Sequence, residues 1–171
     1  MTLCKPAAIA TTLLLTVGAC QSGVEPTSTL TTVPIQIAYR DSQCMKERAI
    51  IEPIHNITVL MDWWQPLARQ QIPAKQLPQS LRAINFERSA VFVLSMGSQP
   101  TAGYGIELHS DRATVQRESL TIPAGWQEPP ADTMVAQVVT SPCIVFTVPA
   151  NRYQTVMVRD RQGNTLVETR F

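Results

Sequence analysis

Lysine and arginine gather nowhere in this sequence. Its 14 basic and 13 acidic residues are scattered singly. Nucleic-acid binding needs clustered cations that displace counterions from phosphates, so that class is excluded. Histidine is scarce: only His55 and His109 occur, and neither has a second ligand at metal spacing. Cys-x-x-Cys pairs, His-x-x-x-His pairs and acidic calcium loops are missing too, so no metal site and no cofactor are nominated. There is no Gly-x-Ser-x-Gly and no signature of a nucleophile with its base, so no catalytic residue is named and no enzyme is expected. Glu107 and Asp111 could be drawn as a carboxylate pair, but polar hairpin residues are ordinarily just solvated. No apolar run reaches the roughly 20 residues that a bilayer span requires. Internal repeats are absent as well.

What is present begins at the N-terminus, "MTLCKPAAIATTLLLTVGAC". Lys5 precedes an apolar run from Ala7 to Val17 that ends in small residues, the pattern of an export signal. The ending Val17-Gly18-Ala19-Cys20 resembles a bacterial lipobox. That resemblance implies cleavage of residues 1–19 and lipid, palmitate included, on Cys20. A plain secretory signal followed by a chance cysteine is the alternative. Each buried methylene contributes about 0.8 kcal/mol, so several acyl chains anchor stably where one does not. Gln21 stands where an inner-membrane retention signal would place Asp. The expected location is therefore the outer membrane, lipid-anchored and facing the periplasm.

Residues 20–32 then form the lipidated cysteine and a stretch rich in Ser, Thr and Pro, "QSGVEPTSTLTTVP" at its widest. Such a composition buries too little apolar surface to offset its ordering entropy, and reads as a flexible tether. One domain follows, residues 33–171, a length suited to a single core. Loss of Lys5 with the signal brings its charges into balance. Cys4 leaves with the signal. Cys44 and Cys143 remain as a pair in an oxidising compartment, where the expectation is a disulfide and the alternative two buried thiols.

Apolar–polar alternation dominates the domain. Strands are expected at 33–40, 90–96, 104–109, 113–122, 133–140, 143–149, 153–160 and 164–171. The continuous run "AVFVLSM" suits a strand buried on both faces. "PANR" and "DRQGN" read as turns. Asn56 is an N-cap candidate for a helix over 56–71, with Leu60, Trp63, Trp64 and Leu67 at helical spacing. Pro66 should break or kink it. The tryptophan pair could stack a ligand, though packing on the sheet is the commoner use. Residues 72–80 read as a proline-punctuated loop. The fold class is mainly β: an antiparallel β-sandwich or twisted sheet with one short helix packed on it.

"MGSQPTAGYGIEL", Met96–Leu108, is the most particular stretch. Its glycine spacing superficially suggests a phosphate loop, but no Lys-Ser/Thr follows and a strand follows where a helix is needed. It is instead a shaped loop: Pro100 fixes its φ, Gly97 and Gly103 supply angles closed to other residues, and Thr101 can bond its own backbone.

The run Ile84–Leu108, with Asn85-Phe86 before a buried strand and then a Gly-x-x-Pro-Thr-x-Gly-Tyr loop, resembles the PrcB C-terminal family. Ser141–Pro149 resembles that family's Pro-Cys strand, and the likeness extends over most of Asn56–Gly163. Ala102 stands where many relatives have Gly. Residues 33–55 resemble nothing nameable. The resemblance implies a lipoprotein or secreted, non-catalytic subunit that associates with and helps stabilise an extracytoplasmic protease. On that reading Gly97, Gln99, Pro100, Thr101, Gly103 and Tyr104 form the partner-binding loop. "QPTAGY" also resembles the Asn-Pro-Thr-Thr-Gly-Tyr/Phe loop of chagasin-type protease inhibitors, with Gln99 in place of Asn. Their Arg-Pro-Trp triplet is missing. That second likeness implies direct inhibition through the Gln99–Tyr104 loop, and the loop could equally do no more than hold two strands in register.

Overall fold

The computed structural model describes residues 29–70 and 72–171. The signal at 1–19, the lipidation site Cys20 and the tether as far as residue 28 lie outside the described residues. The described residues form ten strands and two helices: β1 Leu30–Pro34, β2 Gln36–Asp41, β3 Ile50–Ile54, α1 Ile57–Ala68, α2 Gln79–Arg82, β4 Ser89–Ser95, β5 Gly105–Leu108, β6 Arg112–Gln116, β7 Ser119–Gln127, β8 Cys143–Pro149, β9 Thr155–Arg159 and β10 Thr165–Arg170.

The strands make two stacked sheets, so the sandwich reading holds. The larger runs β1-β6-β7-β9-β10 with β5 also on β7, and the smaller runs β2-β8-β4-β3. All ladders are antiparallel except β7–β9. β5 and β6 lie end to end along one side of β7, Gly105 opposite Gln127 and Gln116 opposite Ser119, with the register shifting between them.

β4 and β8 explain the layers. Along β4, Phe92 and Leu94 enter the core shared with the larger sheet, beside Ile144, Phe146 and Val148 of β8. Val91 and Val93 point the other way and join Cys143 and Val145 under α1. Two covered faces require a continuous apolar run, because successive side chains alternate between them. Among the described residues the buried members of both cores lie between Ile35 and Val158, with Val33, Leu166 and Val167 packed against the first, so residues 29–171 hold both cores.

α1 starts as read: the Asn56 side chain accepts from the Val59 N–H at 3.0 Å. Leu60, Trp64, Leu67 and Ala68 are its buried stripe. Trp64 is 2% exposed, and both tryptophans meet Tyr39 edge-on, so the pair packs on the sheet. Pro66 neither breaks nor ends the helix early; it sits in the last turn, two residues before the end at Ala68. Only the final turn has to accommodate the missing N–H.

Four sequence expectations are corrected. The tether does not extend to residue 32: Leu30, Thr31 and Thr32 already pair with β6, because threonine suits a strand as well as a linker. The 33–40 strand is two strands split at buried Ile35, where the chain crosses from the larger sheet to the smaller and the Ile35 N–H donates to Asp111 O. The 113–122 strand is a hairpin turning at Arg117, whose φ is +55°. Residues 133–140 are not a strand; apart from a bridge at Thr140 they run as an irregular arm. Two elements went unread. α2 is a single turn that starts at the end of the expected 72–80 loop and runs to Arg82, and β3 carries Pro53, which its edge position tolerates.

Candidate partner-binding loop

The loop at 96–104 leaves β4 where Ser95 is fully buried. Ser95 Oγ donates to Pro142 O at 3.2 Å and accepts the Gly97 N–H at 3.1 Å. The Met96 N–H donates to the same Pro142 carbonyl. Gly97 has φ +83°, and a Cβ there would lie 2.7 Å from the Arg48 backbone carbon. Glycine is therefore required twice, by conformation and by close approach. The next residue is held on the same side, the Ser98 N–H donating to Glu47 O.

On its other side the loop meets the 129–140 arm. Gln99 exchanges two backbone hydrogen bonds with Thr140, at 2.7 and 3.0 Å, and the Ala102 N–H donates to Ala136 O. Thr140 Oγ1 donates to Thr101 O at 2.9 Å. Gly103, at φ +94°, packs against Pro129 and Val135 of the arm. Tyr104 is half-buried against the main core. Bonds to both neighbours make this a preformed loop.

Beneath it lies the disulfide. Cys44 and Cys143 are bonded, with their Cα atoms 5.9 Å apart and a sequence separation of 99. The bond ties the strap at 42–48 to the start of β8. Ser141 reinforces it: its Oγ donates to Lys46 O at 2.8 Å and accepts the Lys46 N–H at 2.9 Å. The strap carries the Glu47 and Arg48 backbone that borders Gly97 and Ser98, so the disulfide supports the loop indirectly.

The expected loop residues divide by exposure. The Gln99 amide turns back to Met96 O at 3.3 Å, and the Thr101 hydroxyl donates to Ala102 O at 3.2 Å, within the loop as anticipated. Those two side chains are engaged in holding the loop's shape. Ser98, Pro100 and Gly103 are exposed. Beside them the arm exposes apolar side chains that the sequence reading assigned to a strand: Met134 is 100% exposed, and Val138 and Val139 are at least half exposed. Pro129-Pro130 was the available signal for an arm, since consecutive prolines punctuate strands.

Other sequence candidates lie elsewhere, and the buried Nδ1 of His109 has no hydrogen-bond partner. Glu107 pairs with Arg161 at 3.4 Å. His109 stands against Gly125, where a Cβ would come within 2.7 Å of Nε2. Among the described residues no group of three His, Cys, Asp or Glu side chains could hold a metal, and no helix is long and apolar enough to cross a membrane.

One polar cluster, unread in the sequence, joins β2 to the 72–78 segment. Lys75 Nζ donates to Tyr39 Oη at 2.7 Å and Asp41 Oδ2 at 3.0 Å, and lies over the Tyr39 and Trp64 rings. The Tyr39 hydroxyl donates to Asp41. Burial pushes the Asp41 carboxyl up, but hydrogen bonds from Tyr39, Lys75 and the Gln43 N–H outweigh it and hold the group below its ordinary value. Burial, then the bond to Asp41, raises the Tyr39 hydroxyl. The bond to Tyr39 contributes most to raising Lys75, against partial desolvation. Ammonium, hydroxyl and carboxylate are bonded to one another within the cluster, which staples a segment rather than offering a reactive group.

Residues 90–149 match the family model described as PrcB C-terminal. The resemblance read from the sequence holds over that span, which runs from the second residue of β4 through the loop, β5 to β7 and the arm to the end of β8. No curated protein and no solved structure matches the chain.

Proposed function

We propose that this chain, PrcB-like over residues 90–149, is a lipid-anchored, non-catalytic periplasmic subunit that binds and stabilises an extracytoplasmic protease. The family description is compatible with a subunit of a protease complex. The observation that carries the binding reading is the preformed loop at 97–104, fixed by backbone bonds on both sides, with Pro100 and the apolar Met134, Val138 and Val139 exposed along it. Such a face loses little conformational entropy on binding, because its backbone is ordered beforehand. Exposed apolar side chains clustered beside a rigid loop are the ordinary mark of a protein contact.

The test is affinity capture of the full-length lipoprotein from its native envelope, with proteolytic activity measured in the eluate. Wild type should retain a protease. Val138→Ser/Val139→Ser should retain much less while melting within a degree or two of wild type. Equal retention by both would reject the face as the contact. Adding purified protein to the captured protease separates the two modes of action. A stabilising subunit prolongs activity, whereas a chagasin-like inhibitor depresses it.

A further inference from the structure

We propose that the outer face of the larger sheet is a membrane-facing surface, and that Arg117 and Arg159 receive the phosphates of anionic phospholipid headgroups there. The proposal rests on the lipid anchor at Cys20. A hollow of about 570 Å³ opens on this face between β1, β6, β7 and β9. The ladders place its lining side by side: Leu30 opposite Gln116, Gln116 opposite Ser119, and Thr121 opposite Met157. Arg117 and Arg159 complete the lining, and no acidic residue contributes.

Neither guanidinium has a hydrogen bond or ion pair from its side chain among the described residues. Arg161 and Arg170 differ, since they hold Glu107 and Glu168. A guanidinium presents a planar fork of donors that matches phosphate oxygens. Charge and hydroxyls thus favour an anion of that kind. Arg117 adds a second observation. It occupies a two-residue hairpin turn at φ +55°, where asparagine or glycine would fit without strain. Its side chain gives the fold no hydrogen bond or ion pair in return.

The chain's course identifies the anion's source. Leu30 is the first residue of β1 and lines the hollow, so the chain enters the domain beside it. Nine residues separate Leu30 from Cys20, a reach of at most about 36 Å when extended. A lipid at Cys20 therefore keeps the hollow close to a bilayer surface. Leu30 is largely exposed, which suits the boundary between headgroups and acyl chains.

Each arginine near an anionic bilayer raises partitioning about fivefold, and the two together about 25-fold. The attraction acts only within a Debye length, roughly 8 Å at physiological salt. Glu118, exposed beside Arg117, reduces the net effect, so about 10-fold is expected.

A fragment of residues 29–171, which lacks Cys20, separates this surface from the anchor. It should co-sediment about 10-fold better with phosphatidylcholine vesicles containing phosphatidylglycerol than with phosphatidylcholine alone, and lose that preference in high salt. Arg117→Gln/Arg159→Gln should bind both vesicles alike with an unchanged melting temperature. Three results would overturn the proposal. The double variant could keep the preference. Arg88→Gln/Arg152→Gln, away from the hollow, could abolish it equally. Inorganic phosphate at constant ionic strength could displace the fragment, marking a small-anion pocket instead. Palmitate labelling of the full chain, abolished by Cys20→Ser, reads the anchor separately.

Discussion

Three glycines share nearly one backbone conformation but not one environment, and substituting each by alanine separates strain from crowding. Gly97, Gly103 and Gly163 have φ of +83°, +94° and +86°. A Cβ at Gly163 would meet nothing within 4 Å. Gly163→Ala therefore incurs only the left-handed conformation, about 1–2 kcal/mol, partly offset by the roughly 0.4–1 kcal/mol that alanine removes from unfolded-state entropy. At Gly103 the Cβ would lie 2.8 Å from Pro129 Cβ and 3.3 Å from Val135 Cγ1, side-chain atoms of an arm with exposed stretches that can shift. At Gly97 it would lie 2.7, 2.8 and 2.9 Å from backbone atoms of Arg48 and Ala49, in a strap fixed by the disulfide. That overpacking adds about 1–3 kcal/mol. The expected losses are about 2–4 kcal/mol for Gly97→Ala, about 1–2 for Gly103→Ala and under about 1 for Gly163→Ala. Urea unfolding of the three variants reads them directly. Equal losses at Gly97 and Gly163 would refute the claim that the strap closes on the loop.

Other consequences can be measured with the same material. Replacing both Cys44 and Cys143 by serine should cost about 2–4 kcal/mol, since the bond closes a long loop, and the shift should match that of wild type under reductant. Because the folded Asp41 carboxyl is held below its ordinary value, its contribution is present above about pH 4 and is lost as pH falls through the folded pKa. Asp41→Asn should flatten that acid limb by at most about 1 kcal/mol, given partial exposure, in unfolding curves recorded from neutral to acidic pH. Thr140→Val, which removes the bond to Thr101 O, should cost about 1 kcal/mol and speed amide exchange at Gln99 and Ala102.

The β character was legible because alternation reports which faces are covered. β4 and β8 were legible as doubly buried because their apolar runs are uninterrupted. The capped start of α1 followed from Asn56 alone. What failed has physical causes. The start of β1 is chemically ambiguous: Thr31 and Thr32 suit a tether or a strand, and pairing with β6 decides. The corner at Ile35 leaves no mark in an alternating pattern, since a chain can change sheets without changing period. "TMVAQVVT" has strand composition yet stays unladdered, because Pro129 and Pro130 direct it across the loop instead. In the loop, Gly97 and Gly103 were readable from their conformational freedom. The inward use of the Gln99 and Thr101 side chains was not, as it depends on neighbours distant in sequence. The strap at 42–48 carried no motif; its importance comes from Cys143 and Ser141, about a hundred residues away.

The central claim is that a protease sits against the loop and arm. A photoreactive amino acid placed at Pro100, at Val138, or at Gln162 in the turn before β10 tests it most directly in the full-length protein in its own envelope. Crosslinks from positions 100 and 138 to one protease, with none from 162, are the predicted result. Crosslinks of equal yield from all three positions, or none to any protease from 100 and 138, would contradict the account.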